Sequence, residues 1–432
     1  MNKLMKTLGV VALTSLTLTS CNKDPKADAG LTAQEKALKA AVETYVPEVI
    51  YEIYGNLADE TETLYNQLAA LKAKGTYTQA DIDAVCTTFL SARKWWEQSE
   101  AFLYGAATVY GIDPHIDSWP LDKDKLAKSL SNAETIADLD EDGAGAVDEV
   151  GAASLGFHGI EFILFRDGKN RTVAALSGVE DDEAFAGRNV TGKSEVIFAT
   201  AVAEDLRNSC FRLQVAWDPN APKDRVSLIE DELETDAVME SGLTFGENLL
   251  QTGNAGSTYR SWPEAVSNIL VAGCSNIANE VANTKIGTAH YVNSKDYDPD
   301  YIESPYSRKS YQDFKDNVLS VQYSLYGGQG RTSAASASIM QFLKDNGWSK
   351  ASNLESALKD AVASLDACLA SGKAFVDDPT AAVAETAIVK INALDALLNG
   401  GRLDFQTVNH EKKSYRFCAG SRGFRRDCLP GP

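Results

Sequence analysis

Positive charge is scarce in this sequence of 432 residues, in which 41 lysines and arginines face 61 aspartates and glutamates, for a formal net charge of −20. A surface this acidic repels the phosphates of nucleic acids and of anionic lipid headgroups. We therefore expect no nucleic-acid partner. The same charge suits a protein that binds cations, although an acidic, solvated surface alone would also account for it.

Cysteine motifs and common catalytic motifs are missing as well. Apart from Cys21, the six cysteines are far apart and none belongs to a C-x-x-C pair, which excludes zinc-finger and redox motifs. Four of the six lie among apolar residues and are predicted to be buried thiols, although an exported protein could also form a disulfide. No phosphate-binding glycine motif, no G-x-S-x-G sequence and no catalytic Cys–His grouping is present.

The N-terminal segment predicts where the protein resides. MNKLMK is basic, residues 7–20 are apolar or small, and Leu18-Thr-Ser-Cys21 resembles a bacterial lipobox. This pattern predicts a lipoprotein signal peptide over 1–21, with Cys21 as the lipid-bearing residue and 22–30 as a polar tether. We expect a cell-envelope protein that is lipid-anchored to the outer membrane and faces the periplasm or the exterior. An ordinary secretory signal with an incidental cysteine is the alternative. No later run is long and apolar enough for a transmembrane helix.

Helical periodicity dominates the rest of the chain and strand-like alternation is scarce, so the predicted fold class is all-α, in helical bundles. The best-marked helix spans 32–73: Thr32 and Glu35 have the spacing of a capping box, Pro47 would kink the helix, and Gly75 would end it. The other predicted helices span about 78–111, 122–137, 154–166, 192–216, 263–285, 308–326, 333–346, 350–371 and 379–398.

A candidate linker divides the chain into two halves. The sequence WDPNAP at 217–222 contains two prolines, which stop a helix. It predicts an N-terminal helical domain over 31–217 and a C-terminal helical domain over 218–400, and repeated Ser-Trp-Pro tripeptides ahead of helices favour pseudo-symmetric halves. Residues 401–432 are basic, against the trend of the chain, and predict a loosely held tail.

The sequence GFHGIEFILF at 156–165 is the most informative stretch. His158 and Glu161 are three positions apart, so on a helix they share a face, and the rest of the circumference is apolar or glycine. A buried carboxylate needs a cation, a protonated partner or a strong hydrogen-bond donor. The two residues are therefore either a His–Glu pair inside the core or two ligands of a metal site that another helix completes.

Glu100 is the first candidate to complete such a site. It falls on the apolar stripe of the predicted helix 78–111, so its carboxylate is aimed at the core, with Glu97 beside it. A buried salt bridge to a cation such as Arg93 explains Glu100 equally well. The loop that follows adds Asp117, for which a capped turn is the alternative interpretation.

Two other metal-binding patterns fit less well. The zinc-protease sequence H-E-x-x-H would require a second histidine where Phe162 stands. Residues 138–149 match the calcium loop of an EF-hand at positions 1, 3, 5, 6 and 12, but Gly145 occupies the position of an aliphatic residue. An acidic surface loop is the alternative for this segment.

Together these features resemble the imelysin family, also called peptidase M75, whose members are exported or lipid-anchored bacterial proteins. The hallmark of the family is G-x-H-x-x-E, here Gly156, His158 and Glu161. The resemblance covers about 31–400. Other stretches that resemble the family are, in chain order, 96–105, 116–120, 303–307, 313–317 and 326–328.

The resemblance implies two helical bundles with a site between them, where His158, Glu161 and Glu100 would bind a metal. Further site candidates carried over by motif or position are Gly156, Glu97, Asp117, Trp119, Glu303, Ser304 and Ser307. It also implies a metal cation, iron ahead of zinc or calcium, and a role in metal uptake with an outer-membrane uptake receptor as partner. Two alternatives stay open: a metallopeptidase that uses the H-x-x-E motif, and a protein-binding surface lipoprotein with a structural His–Glu pair.

Overall fold

The computed structural model describes residues 30–400. The predicted signal peptide with Cys21, nearly all of the tether and the basic tail at 401–432 lie outside these residues. About 68% of the described residues are helical, and the one sheet within 30–400 pairs Phe165–Arg166 with Lys169–Asn170 in antiparallel fashion. The prediction of an all-α fold is confirmed.

Many of the helices are short. The α-helices are α1 (Ala33–Tyr45), α2 (Glu52–Lys74), α3 (Gln79–Glu97), α4 (Ala106–Val109), α5 (Asp113–Ile116), α6 (Lys123–Leu130), α7 (Ala133–Asp142), α8 (Gly156–Leu164), α9 (Val173–Leu176), α10 (Gly192–Trp217), α11 (Lys223–Ser227), α12 (Phe245–Leu250), α13 (Trp262–Asn268), α14 (Asn276–Glu280), α15 (Gly287–His290), α16 (Ser310–Tyr326), α17 (Ile339–Asp345), α18 (Ala351–Ala370) and α19 (Ala382–Gly400). Segments of π-helix span Val46–Tyr51, Leu228–Glu232, Ile269–Ser275 and Val281–Ile286, and short 3₁₀-helices span Glu100–Phe102, Gly143–Glu149, Ala152–Ser154, Glu183–Phe185 and Phe375–Asp377.

The first helical rod begins and ends where the sequence predicts. The hydroxyl of Thr32 accepts a hydrogen bond from the backbone N–H of Glu35, and the Glu35 carboxylate accepts one from the Thr32 N–H, which completes the capping box. Pro47 lies at the start of the π-helical segment that joins α1 to α2, and the rod continues through it. Gly75 ends α2 in the left-handed conformation.

The predicted helix bounds agree closely with the observed ones for the long helices, and less well for helices that end at the site. The predictions at 192–216, 308–326 and 350–371 agree within two residues with α10, α16 and α18. The prediction over 78–111 is wrong, because α3 ends at Glu97. The backbone N–H and the hydroxyl of Ser99 both donate to the Trp96 carbonyl, which turns the chain out of the α-helical pattern.

The calcium-loop hypothesis for 138–149 is wrong. Helix α7 continues through Asp142, and a 3₁₀-helix follows over Gly143–Glu149. An EF-hand loop must wrap its carboxylates around one centre, whereas 138–142 is α-helical and its side chains point outward in different directions.

The two halves of the chain share their packing. Helix α10 packs on α2 and α8, α18 packs on α19, and α16 from the second half contacts both α3 and α18. Helix α10 ends at Trp217 and α11 begins at Lys223, as the two prolines suggest. Because α1 also packs on α13 and α17, a division into two domains at this point stays a prediction.

Cys86, Cys210, Cys274 and Cys368 are buried and unpaired, which confirms the prediction of four buried thiols. Within residues 30–400 no helix has the length and apolar character needed to cross a membrane.

Candidate metal centre

Gly156 sets the position of α8, the helix that carries His158 and Glu161. Its φ of +64° lies in the left-handed region, and a Cβ here would come within 2.1 Å of the Ile116 carbonyl oxygen. Both facts favour glycine over any other residue. The close approach brings the start of α8 against the segment that carries Asp117. The glycine of G-x-H-x-x-E thus places the histidine next to an aspartate.

His158 lies between two carboxylates in the interior. Its Nε2 is 2.9 Å from Asp117 Oδ1, and its Nδ1 is 3.4 Å from Glu161 Oε2. The Nε2 contact lacks the alignment of a hydrogen bond, so this buried nitrogen has no hydrogen-bond partner. Burial and Arg93 lower the pKa of His158, but the two carboxylates outweigh them and raise it to about 9.

Glu161 connects α8 to the second half of the chain. Its Oε1 accepts a hydrogen bond of 2.7 Å from the backbone N–H of Ser307, and its Oε2 faces the His158 ring. Both carboxylate oxygens therefore have a protein partner. In this arrangement Glu161 orients the imidazole, as carboxylates behind metal-binding histidines commonly do.

Arg93, on α3, stands at the centre of the site. Its Nη2 lies 2.5 Å from Glu97 and 2.6 Å from Glu303, its Nη1 bonds Asp117, and its Nε is 3.8 Å from Asp313. Burial lowers the pKa of Arg93, but the four carboxylates, Asp117 first, outweigh it and hold the pKa well above its usual range. A fully protonated guanidinium therefore joins four acidic side chains from both halves of the chain.

Lys285 is the second buried cation, in the π-helical segment after α14. Its Nζ lies 3.1 Å from Glu303, 3.5 Å from Glu100 and 3.9 Å from Glu97. Burial lowers the pKa of Lys285, but Glu100 and Glu303 more than compensate. The salt bridge considered for Glu100 from the sequence thus exists, with Lys285 in place of Arg93.

Acidic side chains outnumber basic ones in this interior. Burial raises the pKa of Glu97 and Glu100 well above the carboxylate range, and that of Asp313 to about 7. A buried surplus of negative charge has to be relieved by protons or by a bound cation. The carboxylates are Glu97, Glu100, Asp117, Glu161, Glu303 and Asp313, and the cations are Arg93, Lys285 and, when protonated, His158.

Within residues 30–400, two sets of three acidic or histidine side chains could hold a metal, since in each set the ligand atoms lie within 4.8 Å of one another. The set of Glu97, Glu303 and Asp313 surrounds the Arg93 guanidinium, whose positive charge stands where a cation would bind. In the set of Asp117, His158 and Glu303, the atoms His158 Nε2 and Glu303 Oε2 are buried without a hydrogen-bond partner. Such orphaned polar atoms are rare in proteins, and these two fit a bound cation.

The G-x-H-x-x-E geometry and the helical fold agree with the comparison to known families. A family model described as imelysin, peptidase M75, matches residues 50–399. This chain belongs to the imelysin family. It is 25% identical over 303 residues to iron-regulated protein A of Synechococcus elongatus, a match that covers 70% of this chain and 68% of the relative.

Two solved structures share the imelysin fold. A Parabacteroides distasonis protein named as an iron-regulated protein A precursor superposes with a TM-score of 0.69 at 24% identity, over 87% of this chain and 97% of that one. An imelysin-like protein from Psychrobacter arcticus superposes with a TM-score of 0.55 at 12% identity, over 87% and 96% of the two chains. At these identities the likeness concerns the fold.

The structure brings most of the imelysin-like site candidates together. Glu97, Asp117 and Glu303 join the network around Arg93. Ser304 donates a hydrogen bond to Asp313, and Ser307 contributes its backbone N–H. Trp119 packs against the His158 ring with 6.4 Å between centroids. Glu100 is held by Lys285 and belongs to neither candidate ligand set.

Sequence reasoning missed two side chains of this imelysin site, Lys285 and Asp313. A detectable signal existed for Lys285, which follows Val281 and Ala282 by four and three positions and so shares their apolar face. Asp313 and Asn317 are likewise one helical turn apart on α16, and Asn317 donates a 2.5 Å hydrogen bond to Glu97.

Proposed function

We propose that this imelysin-family protein binds a metal cation, with iron the first candidate, and takes part in metal uptake at the cell envelope. One observation carries the proposal. His158 Nε2 and Glu303 Oε2 are buried without hydrogen-bond partners, in an interior that holds more carboxylates than cations. A cation held by Asp117, His158 and Glu303 would satisfy both atoms and take the place of protons that the buried acids otherwise hold.

The chemistry of the ligands favours a transition metal over calcium. Calcium takes six to eight oxygen ligands, whereas this set offers an imidazole nitrogen together with carboxylate oxygens. The relatives from S. elongatus and P. distasonis carry the name iron-regulated protein A, which supports iron within that group. Zinc is the competing transition metal, and a direct titration decides between them.

The proposed location follows from the N-terminal sequence. The lipobox-like segment that ends at Cys21 supports a lipoprotein anchored in the outer membrane. An outer-membrane receptor for metal uptake is the partner that such a location suits. Replacing Cys21 by alanine should release the protein from the membrane fraction of its host, and retention of the variant in that fraction would argue against the anchor.

Calorimetric titration of Fe²⁺ under anaerobic conditions, and of Zn²⁺ and Ca²⁺, into the mature protein tests the metal site. We expect one tight equivalent of Fe²⁺, and affinity weakened about tenfold or more in His158→Ala and Glu303→Gln. His290→Ala is a matched control, because His290 is also buried and contacts a carboxylate, Glu385, away from the site. Equal binding by the wild type and His158→Ala, or no binding by either, would refute the proposal.

Catalysis is the less favoured alternative. A metallopeptidase needs a free general base near the metal. Both oxygens of Glu161 have partners, and Glu303 contacts Arg93 and Lys285. Peptide hydrolysis that disappears with a chelator and in Glu161→Gln would decide for the enzyme instead.

A further inference from the structure

Two of the three candidate ligands, His158 and Glu303, are closed off from solvent, whereas Asp117 is half-buried. His158 is 2% exposed and Glu303 is fully buried. A cation therefore reaches these atoms only when some neighbouring side chain moves aside. The side chains to consider are those that border both the ligands and the solvent.

Trp119 and Tyr301 meet this condition. Their rings lie 4.2 Å apart between centroids, and the Trp119 ring lies 6.4 Å from that of His158. Both residues are half-buried, so part of each is in contact with solvent while the rest packs inward. We call this pair the aromatic cover.

The aromatic cover belongs to the irregular segments around the site. Trp119 follows Asp117 by two residues in 117–122, between α5 and α6, and Tyr301 precedes Glu303 by two residues in 291–309, between α15 and α16. By contrast, Arg93, His158 and Lys285 lie on helical segments. Irregular segments open locally at a lower free energy than packed helices, so we expect the cover to move more readily than the helical parts of the site wall.

Two further carboxyl groups interact with residues of the site or of the cover. Asp113 and Glu280 are half-buried, and both interact electrostatically with Lys285 and Asp117. Glu280 also interacts with Tyr301. Burial raises the pKa of both groups, that of Asp113 to about 7, and where they are ionised they raise the local concentration of cations and repel anions.

We propose that Trp119 and Tyr301 form a movable aromatic cover through which a bare metal cation, rather than an anionic chelate of it, reaches His158 and Glu303. This rests on the metal binding proposed above. A chelate such as ferric citrate brings carboxylates of its own into an interior that already holds six. The cations that could pair with them, Arg93 and Lys285, already form ion pairs with protein carboxylates.

Release of bound Fe²⁺ to an excess of a chromophoric chelator, followed by stopped flow, tests the cover. In Trp119→Ala and Tyr301→Ala we expect release about tenfold faster or more, with the calorimetric Kd within about threefold of the wild type, since opening a cover speeds entry and exit alike. Tyr301→Phe keeps the ring and should release Fe²⁺ as the wild type does. Trp95→Ala is the matched control: Trp95 is half-buried on α3 and its ring contacts Lys94.

The outcomes separate the cover from the metal site. Unchanged Fe²⁺ release in the alanine variants, with binding intact, overturns the cover. Because the two substitutions lie on different segments, the test can still be made if only one of the two variants folds. Co-elution of radiolabelled citrate with the wild type after addition of ferric citrate overturns the bare-cation part. If the wild type binds no Fe²⁺, the proposed function fails and the cover fails with it.

Discussion

At the scale of single residues, Arg93 holds the site together when no metal is present. It contacts four carboxylates whose side chains are buried: Glu97, Asp117, Glu303 and Asp313. Removing one partner of a buried ion network leaves uncompensated charge and costs about 3–5 kcal/mol. We expect Arg93→Met to lower the free energy of unfolding by about that amount in metal-free urea titrations at neutral pH.

The same variant gives a second readout. Because the ligand atoms of Glu97, Glu303 and Asp313 lie within 4.8 Å of one another, added Fe²⁺ should restore part of the stability that Arg93→Met loses. Lys390→Met removes an exposed pair with Asp360 and should change stability by less than about 0.5 kcal/mol. A loss in Arg93→Met no larger than in this control would mean that the network is not held by the guanidinium.

Gly156 offers a test of the G-x-H-x-x-E hallmark that does not touch a ligand. In Gly156→Ala the new Cβ meets the Ile116 carbonyl oxygen, and the φ of +64° is itself unfavourable. Gly75→Ala isolates the second effect, because Gly75 has a φ of +63° and open space around a Cβ. We expect Gly75→Ala to cost about 1 kcal/mol in urea unfolding and Gly156→Ala clearly more. We also expect weakened Fe²⁺ binding in Gly156→Ala alone, and similar behaviour of the two variants would contradict the positional role.

At the scale of elements, local signals in the sequence predicted helix ends well where the cause is local. Thr32 caps α1 through its own side chain, and Gly75 ends α2 through its own backbone. Helix α3 ends at Glu97 for a different reason. There Ser99 bonds back to Trp96, and Asn317, from a distant helix, donates to the Glu97 carbonyl. The hydrophobic periodicity of a segment cannot indicate a hydrogen-bond partner that is more than 200 residues away in the sequence.

The candidate site divides in the same way. His158 and Glu161 could be predicted because one helical turn brings them together. Asp117, Glu303 and Ser307 were assigned through the family resemblance or a loop position, and their contacts depend on the tertiary fold. The partner of Glu100 was predicted in kind, as a buried cation, but its identity as Lys285 depends on packing across the two halves.

A buried acid pair ties the start of α10 to the loop after α9 and gives a test of pH dependence. Arg171 lies 2.8 Å from Glu180 and 3.1 Å from Glu195. Burial raises the pKa of Glu195 to about 8. Despite burial, Glu195 and two arginines lower the pKa of Glu180 to about 2.

The raised pKa of Glu195 and the lowered pKa of Glu180 make the stability depend on pH in opposite directions. Between about pH 4.3, the unfolded value, and pH 8, the folded state keeps a proton on Glu195 that the unfolded state loses, so Glu195 makes stability fall as pH rises. Glutamine mimics the protonated acid, so Glu195→Gln should lack this decline and become more stable relative to the wild type as pH rises. Urea unfolding at pH 5 and pH 8 measures the difference, with exposed Glu134→Gln as control. Parallel curves for the wild type and Glu195→Gln would contradict the protonated state.

At the scale of the whole molecule, the candidate metal centre draws on both halves of the chain. Asp117 and His158 come from 31–217, whereas Glu303 comes from 218–400. Helix α16 also packs on α3 across the proposed boundary, and the Arg93 guanidinium bonds acids of both halves. A metal bound at this centre therefore stabilises the arrangement of both halves rather than either one alone.

Thermal unfolding with and without metal tests this coupling. We expect a single cooperative transition that moves to higher temperature with Fe²⁺, because a ligand at one hundred times its Kd adds about 2.7 kcal/mol to the folded state. In His158→Ala the shift should largely disappear, whereas in His290→Ala it should remain. Two separate transitions, of which Fe²⁺ moves only one, would show that the halves unfold independently and that the metal is held within one of them. A single transition that moves in the wild type and stays fixed in His158→Ala would place the metal at the junction of the two halves.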